Sequence, residues 1–219
     1  MMRKWIWVAV GLGVAAAAGV AAYAQYDRSL EKPRYSVIDS DGDFELRQYD
    51  PMLVAEVTTI GARDKALNAG FRRLAAYIFA QDRPGKDQEE IAMTSPVMQD
   101  EKIAMTSPVI QDGNSQRGEG SDTGEWRTRF VMPGKYTAET LPETPSDIAI
   151  DTVPGRRMAA IRFSGSPSSD DLAKQEARLR EWLGTRGLDT GGAAEYAFYD
   201  APMVPPPMRR NEVMIPVEG

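Results

Sequence analysis

The sequence predicts an α+β fold: a duplicated, pseudo-twofold antiparallel sheet, β-barrel-like, with two main helices and a separate hydrophobic helix at the N-terminus. Three observations predict it. The order strand, turn, strand, glycine break, helix, strands runs through residues 44–110 and again through 148–217. Trp5–Ala24 is a stretch of twenty residues without a charge, set apart from both rounds. Ile91-Ala92-Met93-Thr94-Ser95-Pro96-Val97 recurs letter for letter as Ile103-Ala104-Met105-Thr106-Ser107-Pro108-Val109. The layout that follows is a leader or anchor at 1–24, a linker at 25–34 and one folded body at 35–217. Two halves of this kind close their sheets around a shared core with the helices outside.

Composition removes several function classes. The chain has 219 residues and a formal net charge of −6. Arg3 and Lys4 are the only charges in residues 1–24, so the rest carries 24 basic against 32 acidic side chains. That balance argues against a general nucleic-acid binder, which needs a basic face. Cysteine and histidine are absent. No disulfide framework, thiolate nucleophile, Cys/His zinc site or Ser-His-Asp triad can be built.

At the N-terminus, Met1-Met2-Arg3-Lys4 followed by Trp5–Ala24 has the length to span a bilayer. Ala22-Tyr23-Ala24 also has the small-x-small form that precedes signal cleavage. Either way the basic flank keeps the N-terminus cytoplasmic and places the body on the far side, exported and either membrane-anchored or periplasmic. Gln25–Arg34 is polar and reads as a connector.

In the body, Tyr35–Ile38 is a short strand and Asp39–Asp43 a hairpin turn by composition. Phe44–Tyr49 alternates strictly, Asp50-Pro51 turns the chain, and Met52–Ile60 is the next strand. Asp64 is a candidate N-cap for a helix whose apolar stripe is Leu67, Phe71, Leu74, Ala75 and Ile78, with Arg72 and Arg73 beside it. Asp82–Gln88 ends that helix. Gly113–Glu125, with four glycines and no apolar residue, is a loop, and Trp126–Met132 a strand. Tyr136–Asp147 is an extended crossover. The second round has strands at Ile148–Val153 and Met158–Phe163, separated by Pro154-Gly155. Ser168 or Ser169 caps a helix that buries Leu172, Leu179, Trp182 and Leu183 and ends at Gly184 or Gly187. Ala193–Tyr199 and Val213–Val217 are strands, and Ala201–Met208, with four prolines, is an arm between them.

The repeated heptads belong to longer copies, Glu89–Asp100 and Glu101–Asp112, which differ only at Glu90/Lys102 and Met98/Ile110. Two copies are too few for a solenoid. Each reads as a strand entering a turn, and the two pair as a hairpin in even register, with Val97 opposite Ile103. Met93 and Met105 then share a face. As buried methionines they are core filler; alternatively they line a ligand pocket.

Phe44–Tyr49, the two Ile-Ala-Met-Thr-Ser-Pro-Val stretches, Phe130–Pro133, Arg162–Gly165 and Arg209–Val217 together resemble the SOUL haem-binding protein family, in order and across about residues 35–217. The resemblance implies a duplicated α+β barrel with haem or a related tetrapyrrole as a non-covalent ligand in an apolar groove near the first helix. Leu67, Phe71, Leu74, Met93 and Met105 are then the enclosing residues, and Arg72 or Arg73 the partner of a propionate, with Arg156 and Arg157 as further candidates. Without histidine or cysteine, weak iron ligands are limited to Met93, Met105 and Tyr77. The function expected is that of an exported carrier, buffer or sensor. Two other readings stand beside it. One is an envelope interaction protein that binds another apolar ligand, or docks a partner through Ala201–Arg210. The other is a tetrapyrrole-modifying enzyme using strand acids such as Glu45, Glu56 or Asp151, although no acid–base constellation is legible.

Overall fold

A computed structural model of the chain describes residues 30–84, 89–101, 123–200 and 204–218. The chain divides into two units, Met1–Glu31 and Lys32–Gly219. The first lies almost wholly outside the described residues, as does the leader or anchor expected at 1–24. Among the described residues no helix is long and apolar enough to cross a membrane.

The second unit is α+β. Its elements are β1 (Tyr35–Asp41), β2 (Phe44–Tyr49), β3 (Met52–Ala62), α1 (Arg63–Ile78), β4 (Val97–Glu101), β5 (Thr123–Val131), β6 (Ala149–Val153), β7 (Arg156–Ser164), α2 (Ser169–Thr185), β8 (Glu195–Phe198) and β9 (Arg210–Pro216). The nine strands of the described residues form one antiparallel sheet in the order β1-β2-β7-β9-β8-β4-β5-β3-β6. Without β1 the order has a symmetry. Exchanging β2 with β6, β3 with β7, β4 with β8 and β5 with β9 returns the same order read backwards. The pseudo-axis passes between β4 and β8.

The sheet does not close, and the expected barrel is corrected to an open sheet with β1 and β6 as its edges. The reason lies in two short turns. Asp50-Pro51 and Pro154-Gly155 carry the chain across to the opposite arm of the sheet instead of folding back into a hairpin: β2 pairs with β1 and β7, and β3 with β5 and β6. The two turns meet where they cross. A Cβ on Gly155 would lie 3.1 Å from the Tyr49 carbonyl oxygen and 3.2 Å from Pro51 Cδ, so the crossing is made tight by the missing side chain. The arms approach there without sharing a ladder.

Strand alternation gives the sheet two different faces. One carries the helices. α1 covers Ala55, Val57 and Phe130 with Leu74, Tyr77 and Ile78. α2 covers Ala159, Ile161, Val213 and Ile215 with Leu172, Leu179, Trp182 and Leu183, the four residues its periodicity marks. Ser168 closes a capping box with Asp171 at its start. The other face has no helix among the described residues, yet Tyr49, Val54, Met98, Met158 and Met214 are buried together on it. These come from strands near both ends of the order, so the sheet curls toward this face.

Local departures have local causes. α1 begins at Arg63 after Ala62, which makes no side-chain cap, and Asp64 lies in its first turn. The hairpin between β1 and β2 turns on Gly42 at φ +59°, in the left-handed region that glycine enters without strain. The paired-heptad expectation is corrected. Ile91–Pro96 is irregular chain, and the strand starts only at Val97. Both edges of that strand are taken: Val97 stands opposite Phe130 on one side and Phe198 on the other, leaving no place for Ile103. The second copy, with Met105, lies outside the described residues.

Candidate functional site

The residues expected to form the groove fall on α1 and on the chain leading into β4. Phe71 and Met93 are half-buried and pack on one cluster with Leu74 and Tyr77, both fully buried. Phe71 meets Phe130 edge-on, with ring centroids 5.4 Å apart. Leu67 is also half-buried, one turn before Phe71. A stripe of partly open apolar surface, Leu67, Phe71 and Ala75, therefore runs along α1, and Leu74 and Tyr77 support it from beneath. Tyr77 donates its hydroxyl to the Pro142 carbonyl at 2.8 Å, so its oxygen already has a task.

The two arginines beside the stripe differ. Arg73 grips Asp147 through two bonds, one of 2.6 Å, and pairs with Asp82 at 2.6 Å. The bond from Arg73 holds the Asp147 carboxyl below its usual range. Arg72 is exposed, and among the described residues no carboxylate pairs with it. In the second half, Arg156 makes two 2.7 Å bonds to Glu195, and Arg157 is half-buried. Of the candidate strand acids, Glu45 and Glu56 sit in ion pairs with arginines and Asp151 is exposed.

A second site lies on the helix-free face, where a cavity of about 260 Å³ opens between β1, β2, β4 and β9. Its walls are Tyr35, Tyr49, Pro96, Met98, Tyr199 and Met214; Lys32, Arg162 and Arg210 also line it, and Glu212 is its buried acid. Alternation along β9 puts Glu212 and Met214 here while Val213 and Ile215 face α2. Beneath the cavity, Arg47 donates to both oxygens of Glu212 at 2.7 and 2.8 Å, to Glu45 at 2.7 Å and to the Tyr49 hydroxyl at 2.9 Å. Its guanidinium also stacks 4.6 Å from the Tyr35 ring. Tyr199 donates to Glu212 at 2.6 Å.

The electrostatics follow from that network. Burial disfavours charge on both Arg47 and Glu212, but their mutual bonds and attraction outweigh it, so Arg47 stays protonated and the Glu212 carboxyl is held below its usual range. Burial pushes the Tyr49 hydroxyl up to about 12 and Tyr199 well above its ordinary value. Both phenols are neutral donors at any ordinary pH.

In the sequence, Phe44–Tyr49 and Arg209–Val217 stand out as motifs, but only Glu45 among their residues is a candidate functional group. Strict alternation sends Glu45, Arg47 and Tyr49 to one face, which reads as solvent. Arg47 is 1% and Glu212 2% exposed, because that face is buried by the curl of the sheet. The available signal is Tyr49 and Met214 on those same faces, since a strand face that carries large apolar side chains is rarely a fully solvated one.

The fold is an open, pseudo-twofold α+β sheet with helices on one face and a charged, methionine-lined cavity on the other. The sequence matches the family model described as SOUL heme-binding protein over residues 30–216, and the chain belongs to that family. A comparison with curated proteins found no match. Among solved structures, the C-terminal domain of EcmrR is similar at a TM-score of 0.54 and 13% identity, over 84% of this chain and 98% of that one. A protein described as a hydrolase from Listeria innocua is similar at 0.53 and 12%, over 83% and 94%. An uncharacterized conserved protein from the same organism gives 0.55 and 14%, over 80% and 92%. At these identities the likeness is one of fold.

Proposed function

We propose that this chain binds haem or a related tetrapyrrole without a covalent bond, on the half-buried stripe of α1, and acts as a carrier, buffer or sensor. The observation that carries this reading is the family match over residues 30–216. The stripe supports it, because Leu67, Phe71 and Met93 offer an apolar platform beside Arg72, a cation with no carboxylate partner among the described residues. The 260 Å³ cavity is the poorer host, since it falls below the ~300–1,000 Å³ of pockets that enclose drug-sized ligands.

Apolar enclosure is of the right size for the affinity. A porphyrin hiding on the order of 600 Å² of apolar surface gains about 15 kcal/mol gross. Association costs about 4–15 kcal/mol of that. The remainder, about 0–11 kcal/mol, spans the ~8 kcal/mol of micromolar binding without an iron–imidazole bond. Met93 is the accessible candidate for a weak axial ligand; Tyr77 would have to leave Pro142 first. Arg72 suits a propionate better than Arg73, whose donors are held by Asp147 and Asp82. Export of the body is part of the proposal and is supported by uncharged Trp5–Ala24 behind Arg3 and Lys4. The test of function is a titration of the purified full chain with hemin, followed by Soret absorbance and by quenching of its tryptophans. A saturable change at micromolar hemin is expected; none at tens of micromolar would sink the proposal.

A further inference from the structure

The cavity beneath Glu212 is built from more than the tetrapyrrole reading uses. We propose that it is a second, independent binding site, for a small monoanion with an apolar body of about one ring, such as an aromatic carboxylate.

The charge preference comes from counting donors and acceptors. An ionised carboxylate has about four lone-pair sites. Glu212 uses them on Arg47 twice, on Tyr199 and on Arg162 at 3.3 Å. No acceptor capacity remains there for the N–H of a cationic ligand. Donors, by contrast, remain. The Arg162 side chain is 49% exposed and holds its carboxylates loosely, at 3.3 Å to Glu212 and 3.6 Å to Glu45. Most of its five N–H groups are uncommitted. The Tyr49 oxygen accepts from Arg47, and its own proton points at the Met214 sulfur at 3.6 Å, a weak acceptor that a ligand oxygen would outcompete. The walls are apolar and aromatic: Tyr35, Tyr199, Pro33, Pro96, Met98 and Met214. The volume admits one ring and a short substituent. Because Met98 and Met214 face away from the helix side of the sheet, this site shares no surface with the α1 stripe.

Three probes of one shape and three charges test this on the full chain: benzoate, benzyl alcohol and benzylammonium, titrated calorimetrically at pH 7. Benzoate is expected to bind at least tenfold more tightly than either of the others, and to weaken as sodium chloride is raised. Arg162→Gln should lower benzoate affinity tenfold or more while the urea midpoint stays near wild type, and Tyr49→Phe should lower it several-fold with the ring retained. Phe71→Asp, on the α1 stripe, should leave benzoate binding unchanged, so this site and the tetrapyrrole site fail separately. Tighter binding of benzylammonium, equal binding of all three, absence of benzoate binding up to 10 mM, or indifference to Arg162→Gln in a folded variant would each overturn the proposal.

Discussion

Arg47 and Glu212 are the residues on which the helix-free face turns. They are an almost fully buried pair with two hydrogen bonds between them. Breaking such a pair leaves one charge uncompensated, at a cost of about 3–5 kcal/mol, whereas replacing both partners with apolar groups is often close to neutral. Glu212→Gln should therefore lower unfolding stability by that amount in urea, and Arg47→Met with Glu212→Leu should recover most of it. Recovery absent from the double variant would mean that Arg47 serves its other partners, Glu45 and Tyr49, at least as much. The same residues set a pH window. Glu212 has its folded pKa below the unfolded value of 4.5, so its contribution is present above that pH and lost as the pH falls through the folded pKa. Tyr49 has its folded pKa raised to about 12, so its contribution is present below its unfolded value of 10.0 and lost as the pH climbs from there to about 12. Urea midpoints measured from pH 3 to 12 should be level through neutrality and fall at both ends. Tyr49→Phe should make the alkaline fall shallower; an unchanged alkaline limb would remove Tyr49 as its cause.

At the level of elements, α1 is held against β5 by a missing side chain. A Cβ on Gly70 would lie 2.4 Å from Thr128 Oγ1 and 2.7 Å from Thr128 Cβ, and Thr128 is fully buried. Gly70→Ala gains about 1 kcal/mol of helix propensity but overpacks the interface, which costs about 1–3 kcal/mol. The expected outcome is a lower melting temperature, and a rise would show that α1 rides loosely on the sheet. The repeated segment gives a second test. Thr94 donates to the Val131 carbonyl, Ser95 to that of Tyr199 and Gln99 to that of Arg63, while Asp100 pairs with Arg127 and Arg129. Thr106, Ser107, Gln111 and Asp112 encode the same groups, and only Glu90 and Met98 change, to Lys102 and Ile110. Deleting Glu89–Asp100 should leave a folded protein whose melting temperature shifts by a few degrees. Loss of folding would show that the two copies are not interchangeable. Most elements were legible because periodicity and turn chemistry are local: β2 matches residue for residue, and α2 keeps its cap and its buried face. The heptad was misread because it has strand composition without strand partners. Which edge is free is decided by β5 and β8, distant in sequence. Closure was misread for a related reason, since alternation reports faces and says nothing of which arms meet. The α1 stripe was visible as spacing; the burial of Glu45, Arg47 and Glu212 required knowing that the sheet curls.

For the whole molecule, the strand order is symmetric and the chemistry is not. β4 and β8 flank the pseudo-axis, yet the cavity draws on Glu212 of β9, while the exchanged strand β5 supplies Arg127 and Arg129 to ion pairs with Asp100. One face of α1 keeps the apolar stripe that would seat a flat ligand, packed on the sheet through Leu74, Tyr77 and Ile78. Enclosure, not coordination, is thus the main force in the proposed site. Iron-free protoporphyrin should bind within about tenfold of hemin, a difference of about 1.4 kcal/mol. Phe71→Asp should weaken both ligands more than Met93→Leu or Met105→Leu does, with folding checked by circular dichroism. The most direct measurement is the pair of dissociation constants of the full chain for hemin and for protoporphyrin, taken on wild type and on Phe71→Asp under one buffer. The account predicts similar values for the two ligands and a parallel loss of both in the variant. Hemin binding a thousandfold tighter than protoporphyrin, with the gap abolished by a single Met or Tyr substitution and little effect of Phe71→Asp, would contradict it.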